Sequence, residues 1–475
     1  MSERIPKGVL VAAAVSAPFL LVYLAYSRPG YFTSQTYLGG LLLLEFLLLA
    51  VWMFRQIFFP VVLLSFLFAG LNLPVGGGWT TLRWLFLGVG ASVGSLIVLR
   101  DRRFHFGPFH VIAAFAVLAA MVSAAVSRYP WFAMLKAFSL LLLFVYGATG
   151  ARSAVAGREI RFFSGLLTGC EIFVAVVMAF RLIGIEAMGN PNSLGAVMGV
   201  VAAPILLWGI LLGEQTKSFA YQRRFILFAL CLYLIFHSHA RAGMGAAFVA
   251  CALLCLLLRK YRSLAQGLSA VAVVVAAVAI VQPETFSNTV SSVTTSVVYK
   301  SKDPSLGFMA SREAPWQAAI DVIRANFWFG TGFGTTDTGH DASEHLNQFS
   351  SIEGVTAENG SSYLAILTWV GVLGALPFLL TLMVLLRRVA RTLLWMWRTA
   401  TPAHPAVPIA MVMIAGLVHA GLEDWLFAPG YYLCVFFWSL AFVLIDLTPA
   451  PVAPGVAFTW RPQAVPQGMG AVPSR

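Results

Sequence analysis

Charged residues are scarce in this chain. Only 11% of its 475 residues are Asp, Glu, Lys or Arg, whereas 59% are hydrophobic and the mean hydropathy is +0.84. A soluble globular domain carries about 25% charged residues, so this chain has too little polar surface to coat a water-facing core. The scarcity excludes an ordinary soluble fold and predicts that lipid is the solvent for most of the chain.

Cysteine is also sparse. All five cysteines fall in apolar segments, at Cys170, Cys231, Cys251, Cys255 and Cys434. Two of them are one helical turn apart, but no histidine or acidic ligand accompanies that pair. Free cysteine is among the most buried residue types, so the pattern indicates small core residues rather than disulfides or a metal site. We predict no metal and no cofactor.

Apolar runs long enough to cross a bilayer recur along the sequence. A spanning helix needs about 20 apolar residues, and on that criterion we predict an all-α polytopic membrane protein with about 12–14 transmembrane helices. The predicted spans are 8–26, 38–54, 56–73, 82–99, 109–127, 132–150, 162–183, 193–212, 225–239, 242–258, 264–281, 361–386, 405–422 and 427–446. The membrane domain covers residues 1–447, and the Pro-, Gly- and Val-rich tail at 448–475 is predicted to be disordered and cytoplasmic.

The basic residues orient these spans. With the N-terminus in the cytoplasm, 21 of the 31 Lys and Arg residues fall on the cytoplasmic side, nine fall outside, and Lys136 lies inside a span. The positive-inside rule requires this asymmetry. It accounts for the net charge of +12, which therefore does not indicate a nucleic-acid partner. The same orientation places the long polar loop at 282–360 outside the cytoplasm. Glu171 and Lys136 then lie within spans, where each is interpreted as a polar contact between helices.

Part of the long outer loop has a helical pattern. Trp316, Ile320 and Ile323 follow helical spacing, opposite the charged Arg312 and Arg324. We predict a helix here, lying either in the membrane interface or on the bundle as a lid. The glycines that follow it resemble a dinucleotide-binding fingerprint, but no strand precedes them, so we reject that interpretation. They instead allow the loop to fold closely against the bundle.

Two arginines occur at predicted outer ends of spans. Arg241 lies in the tight connection at 238–243, and Arg181 lies at the end of an earlier span. A cation at membrane depth is costly, so it usually pairs with another group and marks a functional path. The alternative for each is an arginine that extends its guanidinium to the membrane surface while its stem stays in lipid.

Polar motifs open two further spans. Asn190 and Asn192 belong to a Gly-Asn-Pro-Asn turn, after which Ser193 is predicted to cap the next helix. Glu358 and Asn359 precede another span. A carboxylate there is favoured by the helix dipole, which is a structural role, or it is a general base at the outer surface.

In this order the motifs resemble the O-antigen ligase and Wzy-type polysaccharide polymerase superfamily of bacterial inner membranes. The resemblance covers roughly residues 125–386. It consists of the Asn-Pro-Asn turn, the Ser-x-x-Arg-x-Gly turn ending at 243, Arg312 four residues before Trp316, the alternating glycines, and a polar motif opening a helix with Gly371.

The resemblance implies a glycosyltransferase of the C type that is inverting and independent of metal. Such enzymes take a glycan from an undecaprenyl diphosphate carrier at the periplasmic face of the inner membrane. Arg181, Arg241 and Arg312 match the need to stabilise the leaving diphosphate. In the ligase branch the base is a histidine in a His-Asn motif; here Glu358 occupies that position. His340 and His345 are alternative bases in the same loop.

Four functions remain open at this point. A polymerase of exopolysaccharide or O-antigen repeat units is the leading prediction, and a ligase that transfers the glycan to lipid A core or another acceptor is the nearest alternative. A transporter or flippase is the alternative from another class. Implied partners are the lipid-linked donor, the glycan acceptor, membrane lipids, a flippase and chain-length regulators. A scaffold role in an assembly complex predicts no effect of substituting the arginines.

Overall fold

The computed structural model describes a helical protein. Of the residues that it describes, 81% are helical and none lies in a β-strand. The described residues are 55–70, 78–101, 103–186, 188, 190–213, 219–262, 265, 269, 310–335 and 359–450. The predicted all-α class is confirmed.

Twelve helices fall within these ranges. They are α1 (Arg55–Gly70), α2 (Gly78–Arg100), α3 (Pro108–Ala125), α4 (Pro130–Val155), α5 (Glu159–Leu182), α6 (Pro191–Gly213), α7 (Phe219–His237), α8 (Arg241–Leu257), α9 (Ala310–Ala325), α10 (Ser362–Thr399), α11 (Ala406–Ala420) and α12 (Tyr432–Leu447). Helix α4 contains a π-helical segment at Gly147–Ala151, and α6 contains one at Val197–Ala202. π-Helical segments are rare in proteins, and those that do occur are often found at functional sites.

The outer surface of the helices is apolar. Among the described residues, seven helices are long and apolar enough to cross a membrane, and three shorter apolar helices accompany them. Large side chains point outward: Leu99 is 79% exposed, Trp131 75% and Phe219 78%. Contiguous apolar surface of this kind is rare on a water-soluble monomer, whereas hydrocarbon solvates it without penalty. The chain is a multi-pass membrane protein.

Eleven of the fourteen predicted spans coincide with described helices. The other three, at 8–26, 38–54 and 264–281, lie outside the described residues apart from two isolated positions in the last of them, as does the tail beyond residue 450. The remaining described helix, α9, confirms the helix predicted from the apolar stripe in the long loop. Of the two predicted positions, α9 adopts the one on the bundle, like a lid, because Trp316 contacts the beginning of α10.

Helix α6 lies at the centre of the bundle. In its most apolar segment 89% of residues are buried, against 22% for α7. A Cβ atom at Gly199 would lie 2.2 Å from the carbonyl oxygen of Gly243, and one at Gly243 would lie 2.4 Å from that of Gly195. Small residues allow membrane helices to touch through their backbones, where dispersion packing drives association. This contact fixes the beginnings of α6 and α8 side by side.

Helix α10 is broken near its beginning. Gly371 has φ 67° and ψ −177°, a conformation that is essentially confined to glycine. A break inside a membrane leaves backbone donors and acceptors without helical partners, and each unsatisfied group is costly in hydrocarbon. The broken helix therefore requires another segment to complete its hydrogen bonds.

The glycine-rich segment that follows α9 supplies these partners. The N–H groups of Thr331 and Gly332 donate to the carbonyl oxygens of Thr368 and Trp369, at 3.0 and 2.9 Å. In return the N–H of Val372 donates to a carbonyl of the segment at 2.8 Å. The predicted close packing of this loop on the bundle is confirmed, and its backbone completes the break in α10.

Replacing Gly371 with alanine is expected to destabilise the protein by about 3 kcal/mol or more, because backbone strain and a clash add. A Cβ atom there would lie 2.4 Å from the carbonyl oxygen of Trp328. The melting temperature and the monodisperse fraction in detergent measure the effect. Gly245→Ala in α8 is the control, because a Cβ there meets nothing within 4 Å. An unchanged melting temperature for Gly371→Ala would contradict the description of the break.

Ion pairs that each include a buried side chain join helices at the end of the bundle opposite the break in α10. Arg152, whose side chain is 1% exposed, binds Asp446 through its Nε atom at 2.6 Å. Glu171 in α5 accepts hydrogen bonds from Arg223 at 2.5 Å and from Arg224 at 2.9 Å. The interpretation of Glu171 as a polar contact between helices is confirmed.

Candidate active site

We call the end of the bundle at which α6, α8, α10 and α12 begin the site end. The lid helix α9 lies here, across the beginning of α10. Trp316 of α9 donates its indole N–H to the carbonyl oxygen of Gly360 at 3.1 Å. The loop at 421–431, between α11 and α12, closes the same region from the other side.

The loop at 421–431, the acidic loop, carries the adjacent carboxylates of Glu423 and Asp424. Glu423 forms a salt bridge with Arg312 of α9, and the two side chains are only 18% and 13% exposed. The main chain of Glu423 is held separately, because the N–H and hydroxyl of Ser362 donate to its carbonyl oxygen at 3.0 and 2.6 Å. A charge-assisted hydrogen bond is stronger than one between neutral groups, so this pair fixes α9 to the acidic loop.

Asp424 joins the acidic loop to two other elements. Its Oδ2 atom accepts a hydrogen bond from the backbone N–H of Asn359 at 3.0 Å. Lys136 in α4 is attracted to the same carboxylate. The Lys136 ammonium donates to the carbonyl oxygen of Gly334 at 2.6 Å and lies 4.6 Å from the centre of the Phe132 ring. The predicted polar role of Lys136 is therefore confirmed, and it lies at the edge of the site end.

Arg241 is the first residue of α8 and is partly buried. Its guanidinium lies close enough to that of Arg312 for the two like charges to repel each other. In a partly buried region such repulsion is screened weakly, so an anion near both groups is favoured. Guanidinium groups bind carboxylate and phosphate oxygens in a bidentate manner. The pair is therefore suited to a phosphate-containing ligand.

Arg181, in the last turn of α5, lines a cavity of about 480 Å³. Asn190 and Asn192 line the same cavity, together with Glu186, His237 and His239. Within the described part of the chain, the buried Nδ1 atom of His239 has no hydrogen-bond partner. The cavity thus combines a cation, a carboxylate, two amides and two imidazoles in a largely apolar lining, and such groups hydrogen-bond to sugar hydroxyls.

The turn before α6 is capped by Asn190. Its side-chain oxygen accepts a hydrogen bond from the N–H of Asn192 at 2.9 Å, and Pro191 occupies the first helical position. The prediction that Ser193 caps this helix is wrong, because the helix begins at the proline, where no N–H is needed. Ser193 instead accepts a hydrogen bond from the hydroxyl of Tyr431 at 3.3 Å.

Two tyrosines connect this turn to the acidic loop. The hydroxyls of Tyr431 and Tyr432 are 2.8 Å apart, and that of Tyr432 donates to the carbonyl oxygen of Ser193 at 3.1 Å. Burial, with a smaller contribution from the negative charge of Glu423, raises the pKa of the Tyr431 phenol. The phenol therefore stays protonated and acts as a donor. The connection holds the beginnings of α6 and α12 together.

Six of the nine residues predicted for the site are described. Those that line the cavity are Arg181, Asn190 and Asn192, and those around the acidic loop are Arg241, Arg312 and Asn359. The cavity and the acidic loop region are neighbours. Ser238 and His239, which line the cavity, come just before Arg241, the first residue of α8, in the chain. The remaining three, Glu358, His340 and His345, lie outside the described residues.

Glu423 and Asp424 were not predicted as site residues. They lie in the short segment between the predicted spans at 405–422 and 427–446. One signal was present, because these two residues are the only adjacent acidic pair in the chain. Their partners Arg312 and Asn359 are more than 60 residues away in sequence, so no local pattern predicts the pairing.

The described part of the site end contains no preformed metal site. No group of three or more His, Cys, Asp or Glu residues in the described ranges is placed to hold a metal ion. The five cysteines are free thiols, and four of them are buried, as their interpretation as core residues predicts.

One protein family matches part of the chain. Residues 226–379 match a family model described as O-antigen ligase. The matched segment begins in α7 and ends in α10, so it includes Arg241, Arg312 and the glycine-rich segment. The turn before α6 and the acidic loop lie outside it. No curated protein matches the sequence.

Proposed function

We propose that this chain polymerises polysaccharide repeat units linked to undecaprenyl diphosphate, because its residues 226–379 match the family model described as O-antigen ligase. The family match supports a membrane enzyme of the ligase and polymerase class that acts on lipid-linked glycans. The polymerase activity, the inverting mechanism and the independence of metal are our proposals.

The observation that carries the proposal is the approach of Arg241 to Arg312. Both lie within the matched segment, on separate helices, and their guanidinium groups interact at the site end. A transferase that releases a lipid diphosphate must stabilise two phosphate groups as the glycosidic bond breaks. One guanidinium group at the beginning of the membrane helix α8 and a second on the lid helix α9 meet that requirement near the membrane surface.

The proposed reaction is a single displacement. A hydroxyl oxygen of the acceptor glycan forms a bond to the anomeric carbon of the donor, while the bond from that carbon to the phosphate oxygen breaks. The electron pair leaves with the diphosphate, whose charge Arg181, Arg241 and Arg312 stabilise. A base removes the hydroxyl proton, and Glu358 is the residue that we assign to this role. Asn190, Asn192 and Asn359 are assigned to substrate binding, with His340 and His345 as loop residues that contact the glycan.

The proposed location follows from charge and from the family. Basic residues are concentrated at the opposite end of the bundle, which supports a cytoplasmic position for that end. The site end then faces the periplasm from the inner membrane. The substrates are the lipid-linked donor and a glycan acceptor, and a flippase and a chain-length regulator are the proposed protein partners.

The ligase remains the nearest alternative, because the matching family model is described by that name. A ligase has the same donor and leaving group, but its acceptor is lipid A core or another molecule. For a transporter or flippase, the described structure offers no support. Glu171 and Lys136, the described acidic and basic residues noted within spans, bind neighbouring groups rather than forming a path through the bundle.

A deletion strain distinguishes polymerase from ligase. If the chain is a polymerase, its loss is expected to leave single repeat units on the normal acceptor, because attachment continues without chain growth. If it is a ligase, long chains are expected to accumulate on the lipid carrier. Electrophoresis of the surface polysaccharide and of the extracted lipid carrier measures both products. Loss of surface polysaccharide, with single repeat units retained on the lipid carrier at the cytoplasmic face, would indicate a flippase and contradict the proposal.

A further inference from the structure

The carboxylate of Glu423 occupies a position next to the arginine pair. It binds Arg312, which in turn lies close to Arg241. In this position the carboxylate offsets part of the repulsion between two guanidinium groups in a weakly screened region. Carboxylate and phosphate oxygens bind guanidinium with the same bidentate geometry, so either anion fits this place.

The backbone around Glu423 is held by contacts that do not use the ion pair with Arg312. Its carbonyl oxygen is held by Ser362, as described above, and its neighbour Asp424 is held by the N–H of Asn359. The next residue, Trp425, donates its indole N–H to the buried His419 ring at 2.7 Å. These contacts involve no atom of the Glu423 carboxylate. The loop therefore has anchors of its own that do not depend on the ion pair between Glu423 and Arg312.

We propose that Glu423 is the resting counter-ion of Arg312, and that the diphosphate of the lipid-linked donor displaces it. This inference rests on the proposed function, since it requires that the arginine pair binds the donor. Glu423 is a positioning residue in this scheme. Before the donor arrives it pairs with Arg312 and holds that side chain in place. It also sets the affinity for diphosphate, because every bound diphosphate has to replace it.

The direct test is the affinity of the purified full-length protein for inorganic pyrophosphate, measured by calorimetry in lipid nanodiscs. Glu423→Gln removes the competing charge and keeps the shape of the side chain. A hydrogen bond to a charged group is worth about 1.5 kcal/mol or more, so pyrophosphate is expected to bind roughly tenfold more tightly. With lipid-linked donor, KM is expected to fall in the same proportion, while kcat does not rise.

A matched control is present at the opposite end of the bundle. Asp446 pairs with Arg152 as Glu423 pairs with Arg312, but it lies far from the arginine pair along the helices. Asp446→Asn also removes the carboxylate partner of a buried arginine, so it lowers stability as well. Its affinity for pyrophosphate is expected to equal that of the wild type. Arg312→Gln is expected to bind pyrophosphate weakly, because it removes the shared partner.

The outcomes separate this inference from the proposed function. Binding by the wild type with equal or weaker binding by a folded Glu423→Gln would overturn the counter-ion role alone. Absence of pyrophosphate binding by both proteins would overturn the proposed function as well. If Glu423→Gln does not fold, Glu423→Asp replaces it. Its shorter side chain weakens the ion pair, so an affinity a few fold higher is expected, and an unchanged affinity would refute the role.

Discussion

Arg241→Gln is expected to lower the turnover of lipid-linked repeat units by about 10²–10³-fold, because it removes a donor that stabilises charge in the transition state. Glutamine has similar polarity but carries no charge. Arg312 alone would then face the leaving diphosphate from this side of the site end. The close contact between α6 and α8 holds the first turn of α8 in place, so the helix itself is expected to remain ordered. The effect should therefore fall on turnover rather than on folding.

Arg241→Lys distinguishes a binding role from anchoring at the membrane surface. Lysine keeps the charge but loses the planar guanidinium, so only part of the activity is expected to return. Arg259→Gln is the matched control, since Arg259 follows the other end of α8 and donates to the carbonyl oxygen of Trp397 at 3.3 Å. Turnover is measured in proteoliposomes with purified lipid-linked repeat units. Full turnover in both Arg241 variants would assign the residue to anchoring.

The helices of the bundle were predictable because membrane helices need long apolar runs, and such runs are visible in one sequence. The ends of the helices were less predictable where a helix continues beyond its apolar run. The span predicted at 361–386 ends at the first basic residues, but α10 continues to Thr399. Beyond the basic residues Thr392, Trp395 and Met396 are still buried, so packing against the bundle, not hydrophobicity of the run, maintains the helix there.

The opposite error occurs at α12. The predicted span at 427–446 begins with apolar residues, but the helix begins only at Tyr432. Pro429 and Gly430 favour a turn at this point, and the carbonyl oxygen of Gly430 accepts a hydrogen bond from Arg83 of α2 at 2.8 Å. This polar contact requires an open backbone, which a helix would not provide. Hydropathy alone does not distinguish an apolar turn from an apolar helix.

The candidate site was predictable in part. The cost of a cation at membrane depth identified Arg181 and Arg241 from their positions in the sequence. The break in α10 was not predictable, because the glycine-rich segment that completes it lies about 40 residues earlier in the chain. The acidic loop was missed for the same reason. Its carboxylates can be recognised as site residues only from their proximity to Arg312 and Lys136, and the tertiary fold brings those partners together.

Glu358→Gln is expected to reduce glycan transfer by about 10²–10⁴-fold, which is the usual contribution of a general base. Glu358 lies outside the described residues, but its neighbour Asn359 is buried and is bound through its N–H to Asp424. The position next to Glu358 is therefore fixed to the acidic loop, beside the arginine pair. The chain-length distribution produced from purified lipid-linked repeat units measures the effect. Glu353→Gln, in the same predicted loop, is the control and is expected to transfer normally.

A capping role for Glu358 predicts a different result. The N-cap position of α10 is Ser361, three positions later, and the interaction of a charge with the helix dipole falls off within the first turn. Loss of such an interaction costs about 1 kcal/mol or less, so Glu358→Gln would lower the melting temperature slightly and leave polymer length unchanged. Near-normal polymer from Glu358→Gln, together with loss of polymer in His340→Ala or His345→Ala, would assign the base to the loop histidines. That result would retain the arginine pair as the binding site for the leaving group, because the base acts on the acceptor and not on the diphosphate.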